Sequence, residues 1–409
     1  MKKKFAITLA CLLVVMMSFV GCAPKKNSEN IEREIKNVIV MIGDGFGPNH
    51  LKNAKTYFGV DKYAFEDDYL CDVTTYSKDS AVTDSAASGS ALATGQKFNN
   101  GEVGWHERKD IENLMEIAQK QGKKTGILTS DTLHGATPGA YSAHTKSRNN
   151  LDEIVQDQIN SGIDIMIGAH AIEYDNRSSG FMLNGYKYSN RTDDFPSTLN
   201  PNEKYIAMFP DLQSPYNHEM VNPGQDWVDF PALIKNVLNY LDNENGFCLM
   251  IENGYIDKYS HGNQLFSALH EVAYFAAMIE AVYEFCAGRN DTVVMITADH
   301  ETGALQLANS KEEIEEKNNA LYTSGNHSAT NVHLFVRQPY KRENQDYQEL
   351  IDNTNIFHIC KRIVNHQTLD LINIDADTSD ELELCFVQQY VINIDNFFEK
   401  MTENFSSAY

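Results

Sequence analysis

Short, mainly apolar runs alternate with longer amphipathic stretches along most of the chain from residue 37 onward. A strand buried on both faces of a sheet is apolar at successive positions, so such runs predict strands of a parallel sheet. The predicted strands span residues 38–42, 124–129, 164–167, 247–251, 292–297 and 332–336.

Apolar residues at helical spacing fill several of the intervals between these runs. The predicted helices span residues 111–121, 151–159, 230–241 and 265–285. Strands that alternate with helices predict an α/β fold, here a three-layer α/β/α sandwich around a central, largely parallel sheet. Residues 173–229 break the alternation and are rich in Asn, Ser, Tyr and Pro, which indicates an insertion or a cap over one end of the sheet.

The N-terminus has the pattern of an export signal. Three lysines precede an apolar run over residues 5–20, which is short for a membrane span and typical of a signal peptide. The run ends at Gly21-Cys22 and resembles a bacterial lipobox, although Phe19 stands where leucine is usual. This predicts a signal peptide over 1–21, lipidation of Cys22, a tether over 22–36 and anchoring to the cell membrane. The alternative is an ordinary secretory signal cut nearby, which gives a periplasmic or secreted protein.

Composition narrows the classes of partner. The chain has 409 residues, enough for one large α/β domain or two smaller ones, and a formal charge of −23. This surface repels nucleic acid, and local cations would have to attract an anionic substrate.

Five cysteines follow Cys22, and their odd number and wide spacing do not indicate a disulfide framework. Cys248 lies inside an apolar run and is predicted to be a buried thiol.

A nucleophile candidate lies in residues 83–95. Asp84 and Ser85 precede a series of small, helix-compatible residues that ends at Gly95. A serine at a helix N-terminus lies where unpaired amides and the helix dipole favour negative charge, which suits an alkoxide that then carries a phosphoryl group. The alternative is a simple helix cap, since Asp and Ser are both favoured there.

Acids and histidines follow several of the predicted strands. Ligands of open α/β sheets gather at the carboxyl ends of strands, so we expect these side chains to converge. Aspartate with neutral imidazole suits zinc, whereas an all-oxygen set suits magnesium. Taken singly, each has an ordinary alternative, such as a polar turn residue or a solvated histidine. The candidates are Asp44, Glu252, the i, i+4 pair Asp257 and His261, Asp299, His300 and His327.

Two further residues fit phosphate chemistry. Thr137 offers a hard oxygen ligand. Arg148 offers a planar guanidinium that can bind two phosphoryl oxygens at once. The alternative for Arg148 is a surface arginine at the start of a helix.

These motifs, in this order over residues 37–364, resemble the alkaline phosphatase family. The resemblance implies a catalytic domain over about 37–365 that hydrolyses small phosphate monoesters through a phosphoserine on Ser85, with Arg148 binding the phosphate and Lys258 near it. It also implies two zinc ions and one magnesium ion per chain. The first zinc would be held by Asp257, His261 and His327, the second by Asp44, Asp299, His300 and Ser85, and the magnesium by Asp44, Thr137 and Glu252.

The chain departs from the family at Gly135. The position two before Thr137 is often Asp or His in the family, whereas here it is glycine with His134 beside it. This predicts a third site that is weaker or that holds a different ion. The alternatives are a phosphodiesterase or phosphonate hydrolase on the same sheet, a sulfatase, and a lipoprotein that binds phosphate or metal without turnover. Homodimer formation stays open, and no role is predicted for residues 366–409.

Overall fold

The computed structural model describes residues 35–339 and 349–366, so the predicted signal peptide, Cys22 and the C-terminal extension lie outside the described residues. The described strands are β1 Asn37–Gly43, β2 Tyr69–Thr74, β3 Trp105–His106, β4 Lys109–Asp110, β5 Lys124–Thr132, β6 Ile165–Ala169, β7 Tyr186–Ser189, β8 Lys204–Phe209, β9 Phe247–Asn253, β10 Thr292–Thr297, β11 Glu301–Thr302, β12 His327–Ser328, β13 Val332–Arg337 and β14 Leu350–Asp352.

Helices connect most of these strands. The α-helices are α1 Pro48–Phe58, α2 Ser85–Thr94, α3 Leu114–Lys120, α4 Ala136–Ala140, α5 Leu151–Asn160, α6 Ile172–Asp175, α7 Ser178–Leu183, α8 Pro215–Val221, α9 Phe230–Leu241, α10 Tyr255–His261, α11 Leu265–Cys286, α12 Lys311–Lys317 and α13 Asn353–Val364. Short 3₁₀ helices cover Ala64–Asp68, Thr192–Asp194 and Asn318–Leu321.

Within the described ranges, ten strands form one sheet in the order β14-β2-β13-β10-β1-β9-β5-β6-β8-β7. Only β13 pairs antiparallel to its neighbours, and every other pairing in this sheet is parallel. The predicted α/β class with a largely parallel sheet is therefore confirmed. The central strands β10, β1, β9 and β5 are adjacent, so their carboxyl ends lie side by side.

The core lies on both sides of these central strands. Every residue of β1 is buried, as expected for a parallel strand covered on both faces. One set of helices, α1, α9 and α11, packs together, and a second set, α2, α3 and α13, packs together, while α11 and α13 both contact β1. Helix α11 is long and apolar enough to cross a membrane. Among the described helices it alone is so, and most of it is buried inside the fold, as a core helix is.

The predicted elements are confirmed to within a few residues, and one boundary shows why they shift. The helix predicted over residues 111–121 begins at Leu114, because Asn113 caps it. The Asn113 side chain accepts hydrogen bonds from the amides of Met115 and Glu116, and the Glu116 carboxylate accepts one from the Asn113 amide. This reciprocal capping box fixes the start of the helix.

Residues 173–229, for which an insertion or a cap over one end of the sheet is predicted, form part of the sheet. They contribute β7 and β8, which extend the sheet beyond β6 in parallel register. The reason is local: residues 205–209 of β8 are a buried apolar run inside an otherwise polar segment. The boundaries of the catalytic domain remain a prediction.

The described cysteines are all buried free thiols, which confirms the prediction for Cys248. They are Cys71, Cys248, Cys286 and Cys360.

Candidate active site

The carboxyl ends of the central strands bring the predicted acids together. Ile42 of β1 lies in register with Thr297 of β10 on one side and with Glu252 of β9 on the other. The chain then turns out of the sheet, so Asp44 and Asp299, each two residues farther on, meet at the same rim. The backbone amide of Gly45 donates a hydrogen bond to Asp299 Oδ1 over 3.1 Å, which ties the two turns together.

Ser85 is the first residue of α2 and lies at this rim. Asp84 caps the helix, and its carboxylate accepts a hydrogen bond from the Ala87 amide over 2.9 Å. The cap and the nucleophile candidate are therefore different residues, so the two interpretations of this segment are compatible. Ser85 is buried, and its Oγ lies 3.1 Å from His300 Nε2.

Helix α2 can reach the rim because it is built from small residues. A Cβ placed on Gly89 would lie 3.2 Å from the Cα of Thr137, so a side chain there would push α2 away from α4. One turn along α2, the Ser88 hydroxyl donates a hydrogen bond to the Asp299 carbonyl over 2.6 Å. The close packing thus holds the nucleophile helix against the loop that carries Asp299.

Asp44, Asp299 and His300 form one group of side chains, the inner cluster. His300 Nε2 lies 3.5 Å from Asp44 Oδ1 and 3.1 Å from Asp299 Oδ2. Among the described residues, Asp44 Oδ1 and Asp299 Oδ2 are buried without a hydrogen-bond partner. Buried carboxylate oxygens that lack a donor are costly, and a cation bound between them and the imidazole would satisfy them. The inner cluster therefore fits a metal ion.

The electrostatics of the inner cluster show the same crowding of negative charge. Burial raises the pKa of Asp44 well above its ordinary value, and the charges of Asp299, Asp257 and Glu252 raise it further, while Arg148 lowers it. Burial also opposes ionisation of Asp299, but the adjacent His300 outweighs it and lowers the pKa of that carboxyl.

Asp257, His261 and His327 form a second group, the outer cluster. Asp257 Oδ1 lies 3.3 Å from His261 Nε2 and 3.5 Å from His327 Nε2. The two imidazole nitrogens are 3.0 Å apart. The His327 ring also stacks on His300 with 3.5 Å between ring centres, so the outer cluster adjoins the inner one.

Backbone carbonyls determine which nitrogens of the outer cluster carry protons. His261 Nδ1 lies 2.7 Å from the Gly325 carbonyl, and His327 Nδ1 lies 2.9 Å from the Thr83 carbonyl. A carbonyl oxygen only accepts, so each Nδ1 donates and each neutral ring presents the lone pair of its Nε2 to Asp257. Two lone pairs and a carboxylate repel one another unless a proton or a metal cation lies among them. The outer cluster therefore also fits a metal ion.

Thr137, Glu252 and Asp44 are the ligands predicted for magnesium, the third cation site. Thr137 Oγ1 is buried and, within the described ranges, makes no well-formed hydrogen bond, as expected of a ligand oxygen. Glu252 is buried and accepts a hydrogen bond from the Thr129 hydroxyl. Burial and the charge of Asp131 raise the pKa of Glu252 to about 8. A bound cation would reverse that shift.

The two predicted phosphate-binding cations differ in their surroundings. Arg148 Nη1 donates a hydrogen bond to Asp84 Oδ2 over 3.3 Å, which orients the guanidinium beside the start of α2. Lys258 forms an ion pair with Asp131 and lies 4.7 Å above the centre of the Tyr255 ring. Arg148 thus faces the nucleophile segment, whereas Lys258 is engaged by an acid at the end of β5.

Thr302 and Asp131 were missed from the sequence, and Asp84 was predicted only as a possible helix cap. Asp84 orients Arg148 by accepting a hydrogen bond from its guanidinium. Thr302 orients Asp257 by donating a hydrogen bond from its hydroxyl. Asp131 pairs with Lys258. Asp131 follows a predicted strand, and that signal could have identified it.

Comparisons with known proteins show the family of the chain. The family model for alkaline phosphatase matches residues 35–173 and 184–314. Alkaline phosphatase 4 of Bacillus subtilis is 32% identical over 295 residues, which cover 67% of this chain and 63% of that protein. Alkaline phosphatase H of Pseudomonas aeruginosa is 27% identical over 82% of this chain and 86% of that protein.

Solved structures share the fold. The alkaline phosphatase of the Antarctic bacterium TAB5 superposes with a TM-score of 0.67 at 22% identity, covering 81% of this chain and 98% of that one. A mutant of that protein is described with Mg bound in its M3 site. The Thermus thermophilus alkaline phosphatase superposes with a TM-score of 0.67 at 18% identity, covering 91% and 96%. The chain belongs to the alkaline phosphatase family.

Proposed function

We propose that the protein hydrolyses phosphate monoesters through a phosphoserine on Ser85, with two zinc ions and one magnesium ion per chain. The observation that carries the proposal is the position of Ser85 Oγ, 3.1 Å from His300 and at the N-terminus of α2. Membership of the alkaline phosphatase family supports phosphomonoester hydrolysis.

In this proposal each group of side chains would bind one ion. One zinc would bind the inner cluster together with Ser85, and the other would bind the outer cluster. Magnesium would bind the oxygen ligands of Asp44, Thr137 and Glu252, which suits a hard cation. When bound, these ions would lower the pKa of the Ser85 hydroxyl and stabilise negative charge on the oxygens around phosphorus.

The chain's own residues carry the phosphoryl group. Ser85 Oγ attacks phosphorus in line with the ester oxygen, so the Oγ–P bond forms as the ester P–O bond breaks. The serine proton leaves to water, and the departing alcohol oxygen takes up a proton from water. Water then attacks phosphorus from the vacated side, the Oγ–P bond breaks, and inorganic phosphate and free Ser85 result.

The surroundings of Ser85 stabilise this intermediate. The phosphoryl group would lie at the N-terminus of a ten-residue helix, where amides and the helix dipole favour negative charge. Arg148, oriented by Asp84, can donate two parallel hydrogen bonds to the equatorial oxygens. The strongly acidic chain makes this local cation important for substrate binding.

The proposal includes a location outside the cytoplasm. The apolar run over residues 5–20 and Cys22 indicate export and a lipid anchor on the cell membrane, with a periplasmic or secreted form as the alternative. Incorporation of a labelled fatty acid into the wild-type protein, and its loss in Cys22→Ser, would distinguish the anchored form from the others.

Phosphate release from an aryl phosphate monoester tests the activity. We expect hydrolysis by the metal-loaded protein, loss of activity in a chelator and recovery when zinc and magnesium are restored. The matched aryl diester should react far more slowly than the monoester. A phosphodiesterase would show the opposite preference. Tight phosphate binding without turnover would contradict the proposal and identify a non-catalytic binding protein.

A further inference from the structure

An acid that is absent from all three predicted ligand sets lies beside the third cation site. Asp131 is at the carboxyl end of β5, the neighbour of β9, and Thr129 of β5 lies in register with Glu252 of β9. Asp131 therefore lies two residues beyond a partner of Glu252, as Asp44 lies two residues beyond Ile42, the partner of Glu252 in β1. Its side chain is about one-fifth exposed.

One hydroxyl connects Asp131 to the magnesium ligand Glu252. Thr129 Oγ1 donates a hydrogen bond to Glu252 and accepts one from the Asp131 amide over 2.9 Å. Gly254, two residues after Glu252, also lies against the Asp131 side chain, since a Cβ placed on it would be 3.6 Å from Asp131 Oδ2. Both acids therefore lie at the same rim of the sheet, where a cation near both carboxylates would offset their like charges.

Asp131 occupies the space that a side chain at position 135 would enter. A Cβ placed on Gly135 would lie 3.6 Å from Asp131 Oδ2 and 2.9 Å from the Thr132 carbonyl oxygen. On the other side, a Cβ on Gly254 would lie 2.8 Å from the Asp131 Cβ. Glycine at both positions gives the Asp131 side chain room beside Glu252.

His134, the other residue beside Gly135, is directed elsewhere. Its Nε2 lies 3.4 Å from the Glu173 carboxylate, and its ring stacks on Tyr174 with 5.6 Å between ring centres. Its Nδ1 lies 3.2 Å from the Thr132 hydroxyl. His134 is therefore occupied by the segment after β6 and not by the third cation site.

We propose that Asp131 is the acidic member of the third cation site, in place of the side chain that Gly135 lacks. Lys258, which pairs with Asp131, would then set the strength of that site by offsetting the charge of Asp131. This inference rests on the proposed function, since it assigns a residue to the magnesium site of that function. It explains how a chain with glycine at position 135 retains an acid next to Glu252.

Magnesium titration of zinc-loaded, magnesium-free protein by calorimetry tests the inference. We expect Asp131→Asn to bind magnesium about 10-fold to 100-fold more weakly than the wild type, the usual effect of losing a supporting acid near a metal. Lys258→Met should change affinity in the opposite direction, to about threefold tighter binding, because it removes a positive charge beside the cation. The matched control, His134→Ala, should bind magnesium as the wild type does.

Opposite effects of the two variants separate a charge effect from general damage to the β5 loop. Equal magnesium affinity in Asp131→Asn and the wild type would overturn the inference, as would weaker binding in both Asp131→Asn and Lys258→Met. Zinc content, measured by elemental analysis, and ester hydrolysis test the proposed function separately from the assignment of Asp131. If zinc binding and ester hydrolysis persist while the magnesium affinities do not differ, only the assignment of Asp131 fails.

Discussion

The inner and outer clusters contain the same kinds of side chain but are held in different ways. Asp299 and His300 are completely buried and Asp44 is 9% exposed, whereas the His261 side chain is 41% exposed. The inner residues follow two adjacent central strands, and the loop that carries Asp299 is tied to the Gly45 amide and the Ser88 hydroxyl. The inner cluster is therefore part of the core of the sheet.

The outer cluster is held by a short helix and by loops. Asp257 and His261 lie on the seven-residue helix α10, and His327 belongs to the two-residue strand β12. Backbone carbonyls of Gly325 and Thr83 orient the two imidazoles. This difference fits a nucleophile fixed on the buried side and an alcohol that leaves toward solvent on the exposed side.

The largest expected effect follows from the position of Ser85 beside the inner cluster. We expect Ser85→Ala to retain both zinc ions and to lose at least about a thousandfold in turnover, because removal of a nucleophile abolishes the covalent route. Steady-state hydrolysis of an aryl phosphate and elemental analysis would measure the two properties.

Ser90→Ala is the matched control, since Ser90 lies on the same helix and bonds to Gly104 and Glu102. Its turnover should stay near that of the wild type. Wild-type turnover in purified Ser85→Ala would mean that another group is the nucleophile.

A second prediction compares the clusters directly. Asp299→Ala should lose the inner zinc and, because His300 stacks on His327, also weaken the outer site. His261→Ala should weaken the outer zinc and leave the inner zinc in place, since no contact joins His261 to Asp44 or Asp299 in the described residues. Elemental analysis after dialysis should give fewer zinc ions for Asp299→Ala than for His261→Ala. Equal losses would show that the two clusters bind metal as one unit.

The sequence was sufficient to predict the inner cluster because it depends on short-range rules. Apolar runs identify the parallel strands, and the carboxyl ends of adjacent parallel strands share one rim, so Asp44 and Asp299 had to converge. Both acids lie two residues after a predicted strand. Asp131 lies two residues after the predicted strand 124–129 and was missed, although the same rule applies to it.

Long-range contacts could not be predicted in this way. The i, i+4 spacing indicates that Asp257 and His261 face the same way, but it does not show that His327 joins them or that Thr83 orients it. Strand β8 was missed because its apolar residues lie within a polar segment. Such features depend on where distant parts of the chain meet.

A third prediction concerns substrate binding beside the inner cluster. Arg148→Ala should raise KM and weaken inhibition by inorganic phosphate, each by about 10-fold to 100-fold, because charged hydrogen bonds contribute about 1.5–3 kcal/mol. Arg148→Lys should recover only part of this loss, since an ammonium group lacks the planar fork. Arg177→Ala, at a surface ion pair with Asp152, is the control. If KM and phosphate inhibition stay at wild-type values in Arg148→Ala, Arg148 lies outside the site.

The smallest expected effect tests how the outer cluster is anchored. His50 of α1 is completely buried behind α10. Its Nδ1 accepts a hydrogen bond from the Gly47 amide over 3.3 Å, and its Nε2 lies 2.9 Å from Ser260 Oγ. Because the Ser260 hydroxyl donates to the Ile256 carbonyl, Nε2 is the donor to Ser260. The neutral ring therefore satisfies both partners, and a second proton on Nδ1 would point at the Gly47 amide hydrogen.

Burial lowers the pKa of His50 from 6.5 to about 3, against the opposing charge of Asp257. Between pH 3 and pH 6.5, His50 binds a proton in the unfolded chain but not in the folded protein. The stability that the neutral His50 ring contributes is therefore complete above pH 6.5 and is lost as the pH falls toward 3. We expect the free energy of unfolding to drop by about 2 kcal/mol more in the wild type than in His50→Gln between pH 7 and pH 5. Urea unfolding of both proteins in chelator, where metal release does not contribute, measures the difference. Parallel pH dependence in the two proteins would show that His50 already binds a proton in the fold and that its neutral ring does not anchor α10.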